Sequence, residues 1–212
     1  MITYTYAFPT VTIQPFTKLS KSKWLKLITD VNFNLLPASF NFRLETDRRY
    51  NVLQLRNTDF RNNNNAIVAI LPTYDKDFTM NRIYDLQWSL TRNLKLNYNA
   101  NNGSRIPEPR GAIETKEQRD SIQQNFFKGG QVRKFNQNIG LNYQIPFNKF
   151  PLTDWITSNI NHNISYDWTG APLALLKDSL GNQLQNAKNT QIQTQLNFTQ
   201  LYNKWKFLKK IN

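Results

Sequence analysis

The chain has 212 residues, of which 39% are hydrophobic and 13% aromatic, with no cysteine and a formal net charge of +13. Charged or amide side chains interrupt every apolar run, so no stretch approaches the roughly 20 apolar residues that a transmembrane helix needs. A transmembrane strand needs only about 10 residues with apolar side chains at alternate positions, so a negative mean hydropathy leaves a membrane β-barrel open. Disulfides and thiolate metal sites are excluded.

The first segment alternates apolar and polar residues. Tyr4, Tyr6 and Phe8 fall on one face before Pro9, which predicts the end of a strand. The N-terminus has neither the basic region nor the apolar run of a secretory signal peptide. We therefore expect either a soluble protein or a fragment of a longer one.

Residues 14 to 36 form a connection with a predicted helix. Apolar side chains recur there at helical spacing, opposite a lysine-rich side, at Trp24, Leu25, Leu27, Ile28 and Val31. This pattern predicts a short amphipathic helix at a membrane interface.

Period-two alternation dominates the rest of the chain and is typical of strands with one apolar face. The clearest example sets Ile156, Ile160 and Trp168 against Asn159 and Asn161. The other predicted strands have apolar side chains at Phe40, Phe42 and Leu44; at Tyr84, Leu86, Trp88 and Leu90; at Leu94, Leu96, Tyr98 and Ala100; at Phe135, Ile139, Leu141, Tyr143 and Ile145; and at Ile192, Leu196 and Phe198. We predict an all-β fold, an antiparallel up-and-down transmembrane β-barrel segment of about seven strands, incomplete as a barrel, with short helices in the connections.

The predicted connections alternate in length. Residues 92 to 93 and 147 to 154 form short links. The long links are residues 57 to 78, 105 to 130 and 170 to 187. Outer-membrane barrels have tight periplasmic turns and extended surface loops. We therefore predict a single partial barrel segment over residues 1–212, with 14–36 on the periplasmic side and 105–130 and 170–187 as long extracellular loops.

A second helix is predicted inside the 105–130 loop. Glu114 and Glu117 come early, and Ile122 and Phe126 follow at i,i+4 spacing, which favours a helix within 113–127. We expect it to cover the mouth of the barrel.

The polar sides of the strands are rich in amides. They are predicted to face the lumen, at Asn41, Arg43, Glu45, Asp47, Asn97, Asn99, Asn136, Asn138, Asn142, Asn159, Asn161, Asn163, Gln191, Gln193 and Gln195. A neutral hydrogen-bonding wall hydrates well without holding a passing protein of either charge, although any polar lumen would also serve. The charges from Arg43 to Arg49 could anchor a plug or loop, but cross-strand pairing within the wall is favoured.

Aromatic residues fall near the predicted ends of the strands, as in an interfacial girdle. The predicted membrane-interface aromatics are Trp24, Trp88, Trp155, Tyr166, Trp168, Tyr202 and Trp205.

Several segments resemble the giant outer-membrane translocon family of the type IX secretion system, known as SprA or Sov. They are WLKLITDVNFNLLPASFNFRLETDRRYNVLQLRN (24 to 57), PTYDKDFTMNRIYDLQWSLTRNLKLNYNANNGSRIPEP (72 to 109), TKEQRDSI (115 to 122), NKFPLTDWITSNINHNISYDWTGAP (148 to 172) and TQLYNKWKFLKKIN (199 to 212). The resemblance covers most of the chain. The family's barrel is far larger than seven strands, so we expect the chain to be a fragment.

The resemblance implies a location in the outer membrane of a Bacteroidetes-type Gram-negative cell and a role in protein secretion and gliding motility. It also implies partners: the remainder of the same barrel, the lipid bilayer, secreted cargo with a C-terminal sorting domain, an outer-membrane shuttle protein and a periplasmic plug.

No residue pattern points to catalysis or to a cofactor. His162 lies between Ile160 and Ile164 without a second histidine or cysteine, so a structural role is favoured over a metal site. Asp75 and Asp77 fall in a predicted surface loop without a paired nucleophile. We expect no enzyme activity, no catalytic or metal site and no cofactor.

Two other classes stay open at this point. A porin-like or TonB-dependent barrel for small solutes would share the strand pattern but calls for a plug-domain pattern that is absent here. A soluble basic β-sheet protein that binds nucleic acid predicts cations interleaved with aromatics on one strand face. Here the cations cluster at strand ends, so we expect no nucleic-acid partner.

Overall fold

A computed structural model describes residues 1–16, 30–55, 70–150, 152–172 and 181–204 of the chain. The strands are β1 (Ile2–Ala7), β2 (Thr12–Ile13), β3 (Phe33–Asn34), β4 (Ser39–Leu53), β5 (Thr73–Ser89), β6 (Leu94–Arg105), β7 (Gln131–Ile145), β8 (Ile156–Thr169) and β9 (Gln183–Leu196). Helix α1 spans Lys116–Phe127, helix α2 spans Phe198–Tyr202, and a 3-10 turn spans Phe147–Lys149.

Seven strands form one antiparallel sheet in the order β1–β4–β5–β6–β7–β8–β9, and β2 pairs only with β3. The sheet is open among the described residues, with β1 and β9 at its edges. Its strands follow one another along the chain from β4 to β9, as in an up-and-down meander. The all-β, antiparallel part of the prediction is therefore confirmed.

The strands are long. From β4 to β9 they have 12 to 17 residues, more than twice the usual length of about 5–6 residues. About 9–11 residues suffice for a tilted strand to cross a bilayer. Each of these strands therefore exceeds that length.

Continuous register sorts the side chains into two faces. One row of cross-strand partners runs through Asn41, Asp85, Asn99, Asn138 and Ser165, and it defines the amide face. The next row runs on the other side of the sheet, the apolar face, through Phe40, Leu86, Tyr98, Ile139 and Ile164. The alternation in the sequence thus predicts the faces correctly, because neighbouring strands pair without a slip in this central region.

The two ends of the sheet differ in their connections. The lower end carries the β5–β6 turn and the β7–β8 link, and the upper end carries the β4–β5, β6–β7 and β8–β9 connections. In the β5–β6 turn, the hydroxyl of Thr91 accepts hydrogen bonds from the backbone amides of Asn93 (3.2 Å) and Leu94 (2.9 Å). The backbone amide of Arg92 donates to Oδ1 of the buried Asn32, so the β1–β4 connection holds this turn.

Very little of the described chain is buried. Met80, Ala100 and Ile106 are its buried hydrophobic residues. A single sheet has no second layer to cover it. Met80 and Ile106 are buried because the β6–β7 connection folds back over the upper part of the apolar face.

Three expectations about strand boundaries are wrong. Strand β5 begins at Thr73, so Asp75 and Asp77 lie in a strand and not in a surface loop. Tyr74, Lys76 and Phe78 form the alternate face there, and Lys76 Nζ lies 5.3 Å from the centre of the Tyr50 ring. The sequence does not predict this start of β5 because Lys76 stands between Tyr74 and Phe78 and interrupts the aromatic alternation.

The last strand differs from its prediction at both ends. Strand β9 begins at Gln183, so the predicted 170–187 loop ends earlier. Its first residues lack apolar alternation, but their ladder with β8 continues to the Thr169–Gln183 pair. Phe198 lies in helix α2, because the side chain of Asn197 accepts a hydrogen bond from the backbone amide of Gln200 and begins a helix there.

Within the predicted 14–36 connection, strand β3 occupies Phe33–Asn34. The residues of the predicted amphipathic helix from Trp24 to Ile28 lie outside the described part of the chain.

Candidate functional site

The amide face brings together the residues that the sequence predicts for a lumen. All fifteen lie on it, since each pairs in register with another residue of this same face. The predicted grouping on one side of the sheet is therefore present. Whether that side encloses a lumen stays a prediction.

Hydrogen bonds tie neighbouring strands together across this face. Asn99 Nδ2 donates to Asp85 Oδ1 over 2.5 Å, and Asn41 Nδ2 approaches Asp85 Oδ2 at 3.4 Å. Asn142 Nδ2 donates to Asn161 Oδ1 over 2.8 Å. Cross-strand pairs of this kind each contribute about 0.2–1 kcal/mol to a sheet. The amides thus stabilise the sheet while their remaining donors and acceptors stay available to water.

Two ion pairs lie on the amide face. Arg43 Nε lies 3.2 Å from Glu45 Oε1, and Arg105 Nε lies 3.2 Å from Asp77 Oδ1. All four side chains are about 40% exposed, so such pairs contribute at most about 1 kcal/mol each. Arg43 and Glu45 belong to the same strand, β4, so their pairing differs from the cross-strand pairing that the sequence favours.

The lower part of the apolar face is uncovered. Phe42 and Tyr84 pack against each other with ring centres 5.1 Å apart, while Ile164 and Ile192 are 38% and 66% exposed. Near the lower edge of this part, the β1–β4 connection contacts Trp88, whose Nε1 donates to the carbonyl oxygen of Asn34. His162 belongs to this part, and its Nδ1 lies 2.7 Å from Thr190 Oγ1, in keeping with a structural role.

The upper part of the apolar face is covered by residues 106–130, and we call this covered region the shoulder. Phe126 of α1 stacks on Phe78 with ring centres 6.0 Å apart and planes at 16°. Glu108, whose side chain is only 4% exposed, lies 2.6 Å from Arg48 Nε. Lys76 Nζ donates to the carbonyl oxygen of Pro109 over 2.9 Å. The connection is therefore docked by aromatic, ionic and hydrogen-bonding contacts together.

The shoulder also shields polar groups that stand on the apolar face. Arg82 donates through Nη2 to Ser104 Oγ (2.9 Å), to Asn102 Oδ1 (3.3 Å) and to the carbonyl oxygen of Gly129 (3.3 Å). A guanidinium on a lipid-facing surface would lack such acceptors. The β6–β7 connection supplies one of them from its own backbone.

The sequence predicts helix α1 correctly but places it wrongly. Instead of covering the mouth, α1 lies against the apolar face through Phe78 and Phe126. A signal was present: Arg82, like Lys76, interrupts the apolar alternation of β5, and a cation at such a position needs a cover.

Two glycines and a capping box shape this connection. Thr115 and Gln118 form a reciprocal capping box at the start of α1, the pattern that satisfies two free backbone amides. Gly129 (φ +85°) and Gly130 (φ +67°) then turn the chain back into β7. A Cβ on Gly130 would lie 2.7 Å from the carbonyl oxygen of Arg105. Only glycine therefore fits where the chain re-enters the sheet.

One titratable group at this helix has a shifted pKa. The pKa of Glu117, in the first turn of α1, is lowered by a hydrogen bond with its own backbone and by one with the Thr115 side chain. These donors favour the ionised carboxylate.

The predicted interface aromatics lie at both ends of the strands. Trp88 Nε1 donates to the carbonyl oxygen of Asn34 over 3.0 Å near the lower end of β5. Trp155, just before β8, and Tyr202, in α2, flank Phe198 at 6.0 Å and 6.5 Å at the same end. Tyr166 and Trp168 lie near the upper end of β8. Trp24 and Trp205 lie outside the described residues.

Searches for other kinds of site give negative results for the described residues. They contain no group of three or more His, Cys, Asp or Glu side chains placed to hold a metal ion. No helix among them is long and apolar enough to cross a membrane.

No protein-family model matches this chain, and no curated protein matches it at a significant level.

Proposed function

We propose that this chain is a segment of the wall of an outer-membrane protein-conducting translocon, with its apolar face toward lipid and its amide face toward the lumen. The observation that carries the proposal is the pairing of an uncovered apolar face with an amide-rich opposite face on one open sheet of long strands. In water, a bare apolar face of this extent would be an aggregation hazard. In a bilayer, an apolar face is the surface that contact with lipid acyl chains requires.

The dimensions of the uncovered part agree with a bilayer. From Phe135 to Ile145 the apolar positions of β7 extend over about 33 Å at about 3.3 Å per residue. A strand tilted by about 40° would project this length onto about 25 Å, the height of the apolar band of outer-membrane barrels. The shoulder begins where this band would end.

The connection lengths give the orientation. The β5–β6 turn spans four residues, 90 to 93, whereas the β6–β7 connection spans residues 106 to 130. Short turns face the periplasm and long loops the exterior in such barrels. The upper end, with the shoulder, is therefore external in this proposal.

The bare edges of β1 and β9 support a place inside a larger sheet. All 14 residues of β9 are exposed, and an unpaired edge is not tolerated within hydrocarbon. Each edge therefore pairs with further strands of the same barrel. The resemblance to the SprA or Sov family supports protein export in type IX secretion and gliding motility as the role of that barrel, with sorting-domain cargo, a shuttle protein and a periplasmic plug as its partners. We expect it to have no enzymatic activity.

A porin-like barrel would share the same sheet, whereas a nucleic-acid site has less support. On the amide face, Arg43 pairs with Glu45 and Arg105 pairs with Asp77. Paired cations leave little excess charge to release counterions from phosphate.

The chain has no native cysteine, so single cysteines at two adjacent positions test the proposal. Asn138→Cys samples the amide face and Ile139→Cys the apolar face at the same depth. In outer membranes of cells that encode the chain, a membrane-impermeant thiol reagent should modify the cysteine at 138 at least tenfold faster. A quencher attached to lipid acyl chains should report the reverse order with thiol-linked fluorophores.

Equal reactivity at both positions in a protein that fractionates with the soluble proteins would refute the membrane assignment. Export is tested separately, by depleting the protein and following secretion of sorting-domain cargo. Normal secretion with loss of small-solute uptake would favour the porin-like alternative.

A further inference from the structure

The shoulder contains two adjoining clefts for which the proposed conduit has no use. One, of about 570 Å³, is lined by Tyr74, Lys76 and Arg110. The other, of about 530 Å³, is lined by Arg48, Tyr50 and Arg119. Tyr50 and Lys76 are cross-strand partners, so the clefts meet along this pair. Both volumes fall in the range of about 300–1,000 Å³ that is usual for small-molecule sites.

The clefts are strongly cationic. Four of their lining residues are Arg or Lys, and Glu108 is the one carboxylate among them. Glu108 is engaged by Arg48. Lys76, Arg110 and Arg119 form no salt bridge with a described carboxylate. On the amide face at similar height, by contrast, Arg105 is paired with Asp77. The excess positive charge is therefore a property of this side of the sheet.

The clefts combine that charge with tyrosine side chains. Lys76 Nζ lies 5.3 Å from the ring centre of Tyr50 and 5.7 Å from that of Tyr74. These contacts hold the ammonium group between the two rings. The phenol hydroxyls are hydrogen-bond donors and acceptors that suit sugar hydroxyls. Arginine in turn matches the geometry of a phosphoryl group.

We propose that the two clefts bind the phosphorylated headgroup of a glycolipid of the outer leaflet. The inference rests on the proposed function, because only a barrel wall with this orientation sets the clefts on the external side of the bilayer. The phosphoryl groups would meet Arg110, Arg119 and Lys76.

The test uses the protein purified from outer membranes of the cells that encode it and reconstituted in phosphatidylcholine nanodiscs. Bisphosphorylated lipid A is the probe, and native mass spectrometry measures how much stays bound. The double variant Arg110→Gln/Arg119→Gln should lower lipid A retention about tenfold, since charged hydrogen bonds of this kind are lost. Arg110→Lys/Arg119→Lys keeps the charges and should retain most of the binding. Lys134→Gln, at similar height on the amide face, is the matched control and should bind like the parent.

Equal retention by the double glutamine variant and by Lys134→Gln would overturn the glycolipid site while leaving the barrel proposal intact. Displacement of lipid A by an equal concentration of inorganic phosphate would also overturn it, because the site would then recognise free phosphate. A protein that does not fractionate with outer membranes refutes the proposed function, and the glycolipid site falls with it. Trypsin protection at Lys116 and Lys128, two sites that the glutamine variant keeps, shows whether the 106–130 connection stays folded. If it does not, the lysine variant keeps the test decisive.

Discussion

The two halves of the apolar face are covered differently. In the upper half, residues 106–130 pack over Phe78, Met80 and Arg82, and Met80 is 3% exposed. In the lower half, Ile164 is 38% exposed and Ile192 is 66% exposed. Both halves belong to the same strands and share one register.

The covered half contains a cluster of polar groups. Arg82, Asn102 and Ser104 stand on the upper apolar face and satisfy one another with help from Gly129. Polar side chains of the lower half, such as His162 and Thr190, pair with each other across strands. The chain therefore covers a guanidinium whose donors hydrocarbon would leave unpaired.

The largest effect is expected from removing a buried side chain that packs the 106–130 connection against the sheet. Ile106 is 1% exposed, and Ile106→Ala should destabilise the docked connection by about 2–5 kcal/mol through lost burial and a residual cavity. Tryptic cleavage after Arg110 should then accelerate by about thirtyfold or more, as local opening becomes more frequent. Ile192→Ala, on the bare half, should change cleavage little. Equal acceleration by both variants would mean that the halves are not packed differently.

The second test places a charge on the bare half. Ile139→Arg sets a guanidinium at mid-height on the apolar face and should cost about 2–4 kcal/mol of membrane stability if that face meets lipid. Asn138→Arg, one residue away on the amide face, should cost less than about 1 kcal/mol. Urea unfolding of the protein in lipid vesicles measures both. A similar loss for the two variants would contradict the assignment of the faces.

The third test concerns the turn that returns the connection to the sheet. Gly130→Ala would put a side chain on a residue with positive φ and place its Cβ 2.7 Å from the carbonyl oxygen of Arg105. We expect it to destabilise the docked connection by about 2 kcal/mol. Gly111 also has a positive φ, +76°, but a Cβ there would meet no atom within 4 Å, so Gly111→Ala should cost about 1 kcal/mol. Trypsin protection of the connection ranks the two variants. A larger effect at Gly111 would show that the return into β7 is not tightly packed.

Most of the sheet could be predicted from the sequence because side chains alternate between the two faces at every residue, and in-register pairing keeps this alternation aligned from strand to strand. Phe40, Leu86, Tyr98 and Ile139 alternate with amides in their own strands, and pairing then aligns them in one row. Where side chains on the apolar face are polar, the pattern fails. The start of β5 could not be predicted because Lys76 is a charged residue on this face. Its position between the rings of Tyr50 and Tyr74 depends on a contact with another strand.

The shoulder could be predicted only in part. The capping residues Thr115 and Gln118 and the spacing of Ile122 and Phe126 are local signals, so α1 could be predicted. Its position depends on Phe78 and Arg82, which are distant in sequence and lie in a strand. Sequence alone therefore favours a helix over the barrel mouth, whereas the acceptors needed by Arg82 bring the connection onto the apolar face.

The smallest expected effect is a pH dependence confined to the start of α1. The pKa of Glu117 is lowered below its ordinary value of 4.5 by its hydrogen bonds with its own backbone and with Thr115. A depressed folded-state pKa adds stability above the unfolded value, and this stability is lost as the pH falls through the folded pKa. The protection factors of the amides in the first turn of α1, which correct for the pH dependence of intrinsic exchange, should therefore fall below about pH 4.5 while those of the lower half of the sheet stay unchanged. Glu117→Gln should remove this acid response, and Thr115→Ala should weaken it where Thr115→Ser keeps it. If the protection factors of the first turn stay constant across this range, these hydrogen bonds do not stabilise the helix.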